Sequence, residues 1–249
     1  MNLDDIAGWM RGADQIVVLT GAGISTESGI PDFRGPQGLW TKNPDAEKTA
    51  TLSYYVNDRE IRKRSWRNRI ESPMFSADPN DGHRALAALE RKTRLHTLVT
   101  QNVDGLHQAA GTSPGIVIEI HGNVHGAKCL ACGWHGTMDE VLDRVRAGED
   151  DPACADCGGI LKSATISFGE NLVPEDLSRA QRAAAGADLF LAVGTSLTVY
   201  PAAALPEITL ATGARLVVMN AEPTPFDSKA AAVVPERLGE VLPQLVSLV

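Results

Sequence analysis

The chain has 249 residues, of which 43% are hydrophobic and four are cysteines, and its 23 basic and 31 acidic side chains give a formal net charge of −8. This composition is typical of a globular protein and excludes a disordered chain, a small disulfide scaffold and, since apolar runs stay below ~20 residues, a membrane span. Because the N-terminal residues lack a secretory pattern and the negative charge does not attract nucleic acid, we expect a cytoplasmic protein with no membrane or direct nucleic-acid partner.

Short apolar runs that end in glycine or small polar residues recur along the chain. In chain order they cover residues 16–20, 95–100, 116–120, 189–193 and 216–219. Helix-like stretches at 83–92, 174–187 and 202–212 lie between them, so the pattern predicts an open α/β sheet of buried, parallel strands. Ligands bind such sheets beyond the carboxyl ends of the strands, where these polar residues would gather in one pocket.

Two segments interrupt the alternation of strands and helices, and we interpret both as insertions that form a second lobe. Residues 38 to about 83 contain a basic predicted helix at 59–69, and residues from about 126 to 163 contain every cysteine. The basic side chains of this helix are more typical of a solvent-exposed face than of a surface that binds an acidic partner.

The four cysteines are spaced as two pairs, Cys129-x2-Cys132 and Cys154-x2-Cys157. This spacing predicts a structural zinc site with four thiolate ligands and no position open to water or substrate. The alternatives are disulfides or redox pairs, for which the chain shows no export signal and no redox motif beside its first strand. His135 is a competing ligand in principle, although a surface histidine is the commoner interpretation.

The first predicted strand leads into Gly21-Ala22-Gly23-Ile24-Ser25, where small residues allow backbone N–H groups to approach a pyrophosphate. The spacing differs from G-x-G-x-x-G, because the next glycine is Gly29, and a tight strand-to-helix turn explains the loop equally well. The chain has no P-loop, and no G-x-S-x-G string directly follows a predicted strand as a nucleophile elbow would, which disfavours nucleotide hydrolases and serine hydrolases.

His121 follows a predicted strand and precedes Gly122, so its side chain is expected at the ligand crevice, where an imidazole suits a general base. The alternatives are a structural histidine and a His121/His125 metal pair, which lacks a convincing third ligand. Polar side chains at other strand ends suit ribose hydroxyls or an amide, or cap the helices that follow. They are Asn102, Asp104, Asn220 and Glu222.

One long string resembles the signature of the sirtuins, the NAD-dependent protein lysine deacylases. It is Gly21-Ala22-Gly23-Ile24-Ser25-Thr26-Glu27-Ser28-Gly29-Ile30-Pro31-Asp32-Phe33-Arg34-Gly35. The resemblance continues in order through 100–107, His121-Gly122, both cysteine pairs, 168–170, 194–197 and 220–222. It therefore covers nearly the whole chain.

The resemblance implies a Rossmann-like NAD-binding domain formed by residues 1–37, 84–125 and 164–249. It further implies a small lobe that combines a helical module, residues 38–83, with a zinc-ribbon module, residues 126–163. NAD, as co-substrate, and an acyl-lysine protein or peptide would meet in the cleft between them, with one structural Zn²⁺ in the ribbon.

The resemblance also assigns site residues. Catalysis would rest on His121, as the base for a ribose hydroxyl, and on Asn102. The phosphates and the adjoining loop would be held by Gly21, Ala22, Gly23, Ser25, Thr26 and Arg34. The nicotinamide and its ribose would contact Asp32, Phe33, Gln101, Asn102 and Asp104. The adenosine half would contact Gly194, Thr195, Ser196, Asn220, Ala221, Glu222 and Leu238.

The implied reaction releases nicotinamide and O-acyl-ADP-ribose, with residues 26–40 as a lid and the peptide as an extended strand beside 168–171. The preferred acyl group stays open. Sirtuins that prefer succinyl or malonyl lysine carry a Tyr-x-x-Arg pair, where this chain has Trp66-Arg67-Asn68-Arg69. Residues 52–69 resemble class II sirtuins. Alternative functions are a protein mono-ADP-ribosyltransferase, a nicotinamide oxidoreductase and a non-catalytic NAD-sensing module.

Overall fold

The structure is a computed structural model that describes residues 3–33, 35, 38–93 and 95–249. The strands are β1 Ile16–Thr20, β2 Leu95–Thr100, β3 Val117–Glu119, β4 Gly126–Cys129, β5 His135–Thr137, β6 Leu161–Ser163, β7 Leu189–Val193, β8 Arg215–Met219 and β9 Ala232–Val234. The helices are α1 Leu3–Gly12, α2 Leu39–Lys42, α3 Leu52–Asn57, α4 Arg59–Ile70, α5 Asp81–Lys92, α6 Leu106–Ala109, α7 Met138–Arg146, α8 Pro174–Gly186, α9 Leu205–Ala211 and α10 Leu238–Ser247. Short 3₁₀ helices occupy Ala22–Ser28, Pro44–Ala50, Pro73–Phe75, Ala202–Ala204 and Asp227–Lys229.

Six strands form one parallel sheet in the order β3-β2-β1-β7-β8-β9. From β1 the chain builds outwards through β2 to β3, and from β7 it builds in the other direction through β8 to β9. The strand order therefore reverses between β1 and β7, and such a switch point opens a ligand crevice beyond the carboxyl ends of the two strands.

The buried strands carry continuous apolar runs because helices cover both faces of the sheet. In β1 every residue is buried, with Ile16 and Val18 in one core cluster and Val17 and Leu19 in the other. The first cluster takes in side chains of α1, α5 and α10, and the second takes in side chains of α8 and α9. The predicted α/β core with a parallel sheet is confirmed.

The cysteine-rich segment forms a second, antiparallel sheet in the order β5-β4-β6. Trp66 of α4 is fully buried in the same cluster as Cys129, Cys154 and Leu142, and Tyr55 of α3 donates its hydroxyl hydrogen to Leu161 O at 2.8 Å. The two interrupting segments thus pack on one another. None of the described helices combines the length and apolar character needed to cross a bilayer.

Asp58 caps the start of the basic helix α4, and its carboxylate accepts from the N–H groups of Glu60 and Ile61. The sequence predicted that the charged side chains of this helix face solvent, but Arg62 and Lys63 are largely shielded from it. Arg62 binds both oxygens of Asp151 at 3.0–3.2 Å, and Lys63 lies 3.0 Å from Asp150. The acidic partner of this helix is therefore the turn that follows α7 in the same chain.

Candidate active site

Glycines at the switch point allow the loops after β1 and β7 to touch. Gly21 N–H donates to Val193 O at 3.0 Å and Gly23 N–H donates to Gly194 O at 2.8 Å. A Cβ on Gly23 would lie 2.8 Å from the Gly194 Cα, and Gly194 itself has a φ of +61°. These glycines are required for close approach of two backbones as well as for the turn.

A buried hydrogen-bond network lies directly behind this loop. Asn102 Nδ2 donates to Gly21 O and to Ser25 Oγ, each at 3.0 Å, and Ser25 Oγ donates to Asp104 Oδ2 at 2.7 Å. Because the Gly21 carbonyl can only accept, the Asn102 amide has one orientation, with Oδ1 left to accept. Asp104 is held on its other oxygen by Leu106 N–H at 3.0 Å.

His121 lies beyond β3, half-buried, with its Nδ1 3.0 Å from Gln101 O. The carbonyl oxygen can only accept, so the neutral ring carries its hydrogen on Nδ1 and a lone pair on Nε2. Burial lowers the pKa of His121 and outweighs the Gln101 hydrogen bond, which raises it. Gln101 in turn donates from Nε2 to Thr195 Oγ1 at 2.8 Å, which links the strand ends of β2 and β7.

Two further histidines lie beneath the site and were not among the sequence-based candidates. His83 Nε2 is 3.5 Å from Ser25 Oγ and its Nδ1 accepts from Asn80 N–H at 3.4 Å, whereas His107 Nε2 is 2.9 Å from Thr20 Oγ1. Burial lowers the pKa of His83 to about 4 and that of His107 to about 3. The sequence signal that could have identified His83 is helical spacing, because His83 lies three residues before the core residue Leu86 and so on the same face of the helix.

The loop after β1 continues into an aromatic group. Asp32 Oδ1 accepts from Gly35 N–H at 3.0 Å, and the ring of Phe33 lies 4.7 Å from Trp40, whose ring is 5.5 Å from Phe168. Thr26 donates its hydroxyl hydrogen to Gly23 O at 3.0 Å. Arg34, assigned to NAD from the sequence, lies outside the described residues.

The residues assigned to the adenosine half lie at the ends of β7 and β8. Thr195 is buried, Ser196 and Glu222 are exposed, and Asn220 Nδ2 donates to Glu222 O at 2.7 Å. Ala221 is also exposed. Leu238 begins α10 and is buried in the core cluster that contains Ile24.

The four cysteine sulfurs converge in the small lobe, where all lie within 4.8 Å of one another. The Sγ–Sγ distances are 3.5 Å for Cys129–Cys157 and 3.8 Å for Cys132–Cys154. A tetrahedron with Zn–S bonds of about 2.3 Å has sulfurs roughly 3.8 Å apart, whereas a disulfide is about 2 Å. The cluster fits one zinc ion, and neither His135 nor His125 belongs to a metal-ligand group within the described part of the chain.

Comparisons with known proteins agree on one family. Residues 21–201 match the Sir2 family. The "NAD-dependent protein deacetylase 2" of Streptomyces coelicolor is 52% identical over 237 residues, which are 95% of this chain and 98% of that protein. A Sir2 variant with a deacetylated p53 peptide and 3'-O-acetyl ADP ribose superposes with a TM-score of 0.91 at 36% identity, covering 99% and 98% of the two chains. Sir2Tm bound to a propionylated peptide gives 0.89 at 34% identity, with the same coverage.

Proposed function

The chain belongs to the Sir2 family, and we propose that it is an NAD-dependent protein lysine deacylase that releases nicotinamide and O-acyl-ADP-ribose. One observation carries this proposal: His121 stands beyond the carboxyl end of β3, with Nδ1 bound to Gln101 O and Nε2 left to accept a proton, and Gln101 in turn reaches Thr195 at the switch point. Similar proteins hold a deacetylated peptide with an acetyl ADP ribose, or a propionylated peptide.

His121 has the properties of a general base. Because burial lowers its pKa from 6.5, the ring is neutral at pH 7, and Nε2 is able to take a proton from a ribose hydroxyl. The Gln101 carbonyl fixes the tautomer and stabilises the ring when it becomes charged. Asn102 would assist from the same crevice through Oδ1, since its amide hydrogens are already donated.

We assign NAD, as co-substrate, to the crevice between β1 and β7. The polar groups there fit its ribose and amide functions, with Gln101, Asn102 and Asp104 on the nicotinamide side and Thr195, Ser196 and Glu222 on the adenosine side. The sequence-based assignments of the remaining residues, including Asp32, Phe33, Arg34 and Leu238, stay proposals. The buried position of Leu238 limits its role to contact through an edge of its side chain.

The cysteine cluster would hold one structural zinc ion. Four thiolates complete the coordination, so the metal stabilises the small lobe and takes no part in the reaction. We further propose that the domains and modules of the chain divide at residues 38, 84, 126 and 164. We also propose a cytoplasmic location. The relation to class II sirtuins stays a prediction.

The small lobe favours neutral acyl groups over acyl groups with a carboxylate. Trp66, at the place of the tyrosine in the Tyr-x-x-Arg pair, is fully buried in the lobe. The Arg69 guanidinium lies 5.1 Å from the Trp66 ring and donates to Ser65 O and Ser163 Oγ. Because these contacts occupy Arg69, we expect kcat/KM for acetyl or propionyl lysine to exceed that for succinyl lysine by about tenfold or more.

The decisive experiment measures nicotinamide release by the zinc-loaded protein with NAD and lysine peptides that carry acetyl, propionyl, succinyl or long acyl groups. We expect acyl-dependent release with acyl-ADP-ribose as product. ADP-ribose attached stably to protein would instead indicate a mono-ADP-ribosyltransferase, and intact, reduced cofactor would indicate an oxidoreductase. NAD binding without any turnover would indicate an NAD-sensing module.

The His121→Ala variant tests the base directly. It should retain NAD binding and lose at least about 100-fold in acyl-dependent release, whereas the exposed His135→Ala should match the wild type. The base is needed unprotonated and burial lowers its pKa from 6.5, so kcat/KM should fall with decreasing pH and reach half of its maximum below pH 6.5. Equal activity in His121→Ala, or half-maximal activity above pH 7, would exclude His121 as the base.

A further inference from the structure

Residues 164–170 connect the small lobe to the large domain and touch three parts of the molecule at once. Ile166 N–H donates to His121 O at 2.7 Å, so the loop is bonded to the candidate base itself. Phe168 N–H donates to Ala50 O, and Phe168 O accepts from Leu52 N–H, each at 2.9 Å, which bonds the loop to the helical segment. The third attachment is Glu170.

Glu170 binds two lysines of the antiparallel sheet. Its Oε1 lies 3.0 Å from Lys128 Nζ and its Oε2 lies 2.7 Å from Lys162 Nζ. Lys128 of β4 and Lys162 of β6 are direct partners in the sheet register, so both side chains project from the same face. Like charges directly opposite in a sheet repel each other, and the Glu170 carboxylate is the counter-charge that offsets this repulsion.

The contact between Glu170 and Lys162 is largely buried, and both groups are charged. Lys162 is 1% exposed at its side chain and Glu170 is 13% exposed, and Lys162 also donates to Thr165 O. Burial lowers the pKa of Lys162 to about 8. Burial alone would raise the pKa of Glu170, but hydrogen bonds from Lys162 and from Ser167 N–H hold it below its usual value. Both groups are therefore mainly charged at pH 7.

The same carboxylate closes the turn at the tip of the loop. Ser167 N–H donates to Glu170 Oε2 at 2.7 Å, and Glu170 N–H donates to Ser167 O at 2.9 Å. The tip consists of Phe168, which is 37% exposed, and Gly169, whose φ is +88°. The position of this tip relative to His121 thus depends on where the lysines hold Glu170.

We propose that Glu170 is a positioning residue for the acyl-lysine substrate: clamped by Lys128 and Lys162, it fixes the turn of residues 167–170 against the strand end that carries His121. This inference rests on the proposed deacylase function and adds a substrate-positioning role to the small lobe. Glu170 touches neither NAD nor the reacting atoms in this assignment, and it acts through the turn.

The test uses Glu170→Gln and the double variant Glu170→Gln/Lys162→Met. The single change leaves Lys162 buried without its partner and risks misfolding, whereas the double change removes both buried charges and preserves the fold. Asp151→Asn is the matched control, because Asp151 is similarly buried against Arg62 in the same lobe but does not touch the turn.

We expect the double variant to raise KM for an acetyl-lysine peptide roughly tenfold while KM for NAD and kcat change by less than about twofold. Amide hydrogen exchange at residues 164–170 should quicken, and Asp151→Asn should change neither quantity. An unchanged peptide KM in an active enzyme, or unchanged exchange in the loop, would overturn the proposal. If the wild type releases no nicotinamide with any acyl peptide, the deacylase function fails, and the exchange measurement still decides whether the Glu170–Lys162 pair fixes the turn.

Discussion

Gly122, next to the candidate base, has two independent reasons to be glycine. Its φ is +69°, and a Cβ placed on it would lie 2.1 Å from the backbone oxygen of Ala164. A non-glycine residue would thus be strained and would also push away the loop that bonds His121. Gly213 has a similar φ of +83° but open space around the position of a Cβ.

Substitution of these two glycines distinguishes the cost of backbone strain from the cost of a steric clash. Gly213→Ala should lower the free energy of unfolding by about 1 kcal/mol, from strain alone. Gly122→Ala should lower it by about 3 kcal/mol or more, because the backbone of Ala164 must move. Urea unfolding of both variants measures the difference in the free energy of unfolding. Equal losses would show that the loop at Ala164 accommodates a methyl group without an energetic cost.

Other residues of the site show what the sequence could not reveal. The glycines at 21 and 23 were readable as a turn, but their close contact with Gly194 is a tertiary feature with no local signal. Likewise, His83 and His107 come together only when α5 and α6 pack behind β1. The pattern located the crevice because polar residues follow the strands, whereas the buried layer beneath it depends on the fold.

At the scale of elements, the apolar runs predicted five strands of the parallel sheet to within one residue at every end. β9 was not predicted, because Ala232–Val234 is a three-residue edge strand within a short alanine-rich run. The predicted helix at 202–212 is a 3₁₀ turn, Ala202–Ala204, followed by α9, since Pro206 occupies the first turn of the α-helix.

The cysteine cluster predicts how the small lobe responds to metal removal. The strands β4 and β6 carry few residues, and Cys129 and Cys154 share a core with Trp66. Chelation should therefore unfold this lobe and leave the six-stranded sheet folded. The emission of Trp66 should shift to longer wavelength, and zinc analysis should give one ion per chain before chelation.

Two variants make the zinc prediction specific. Trp66→Phe should reduce the spectral change and leave the part that comes from Trp134, which packs against the same core, and His135→Ala should retain the full zinc content. A chelated protein with unchanged emission and an unchanged unfolding midpoint would contradict a structural role for the metal.

At the scale of the whole molecule, polar contacts join segments that are distant in the sequence. Within the small lobe, Arg62 and Lys63 bind the acidic turn after α7. Between the small lobe and the large domain, Lys162 binds Glu170 of the loop that leads to α8. The sequence indicated separate helical and cysteine-rich segments, but it did not indicate their shared core, because ion pairs and packing between distant segments leave no periodic pattern.

The buried pair His83 and His107 makes the stability of the large domain sensitive to acid. Their pKa values of about 4 and about 3 lie below the 6.5 of an unfolded histidine, so the unfolded chain takes up protons first as the pH falls. The stabilisation is complete above pH 6.5 and is lost as the pH approaches the folded values.

From pH 7 to pH 5 each histidine should reduce the free energy of unfolding by about 2 kcal/mol. Urea unfolding at pH 7, 6 and 5 measures this slope, and His107→Gln should remove about 2 kcal/mol of the loss between pH 7 and pH 5, because glutamine takes up no proton. An identical slope in that variant would show that other groups govern the acid sensitivity.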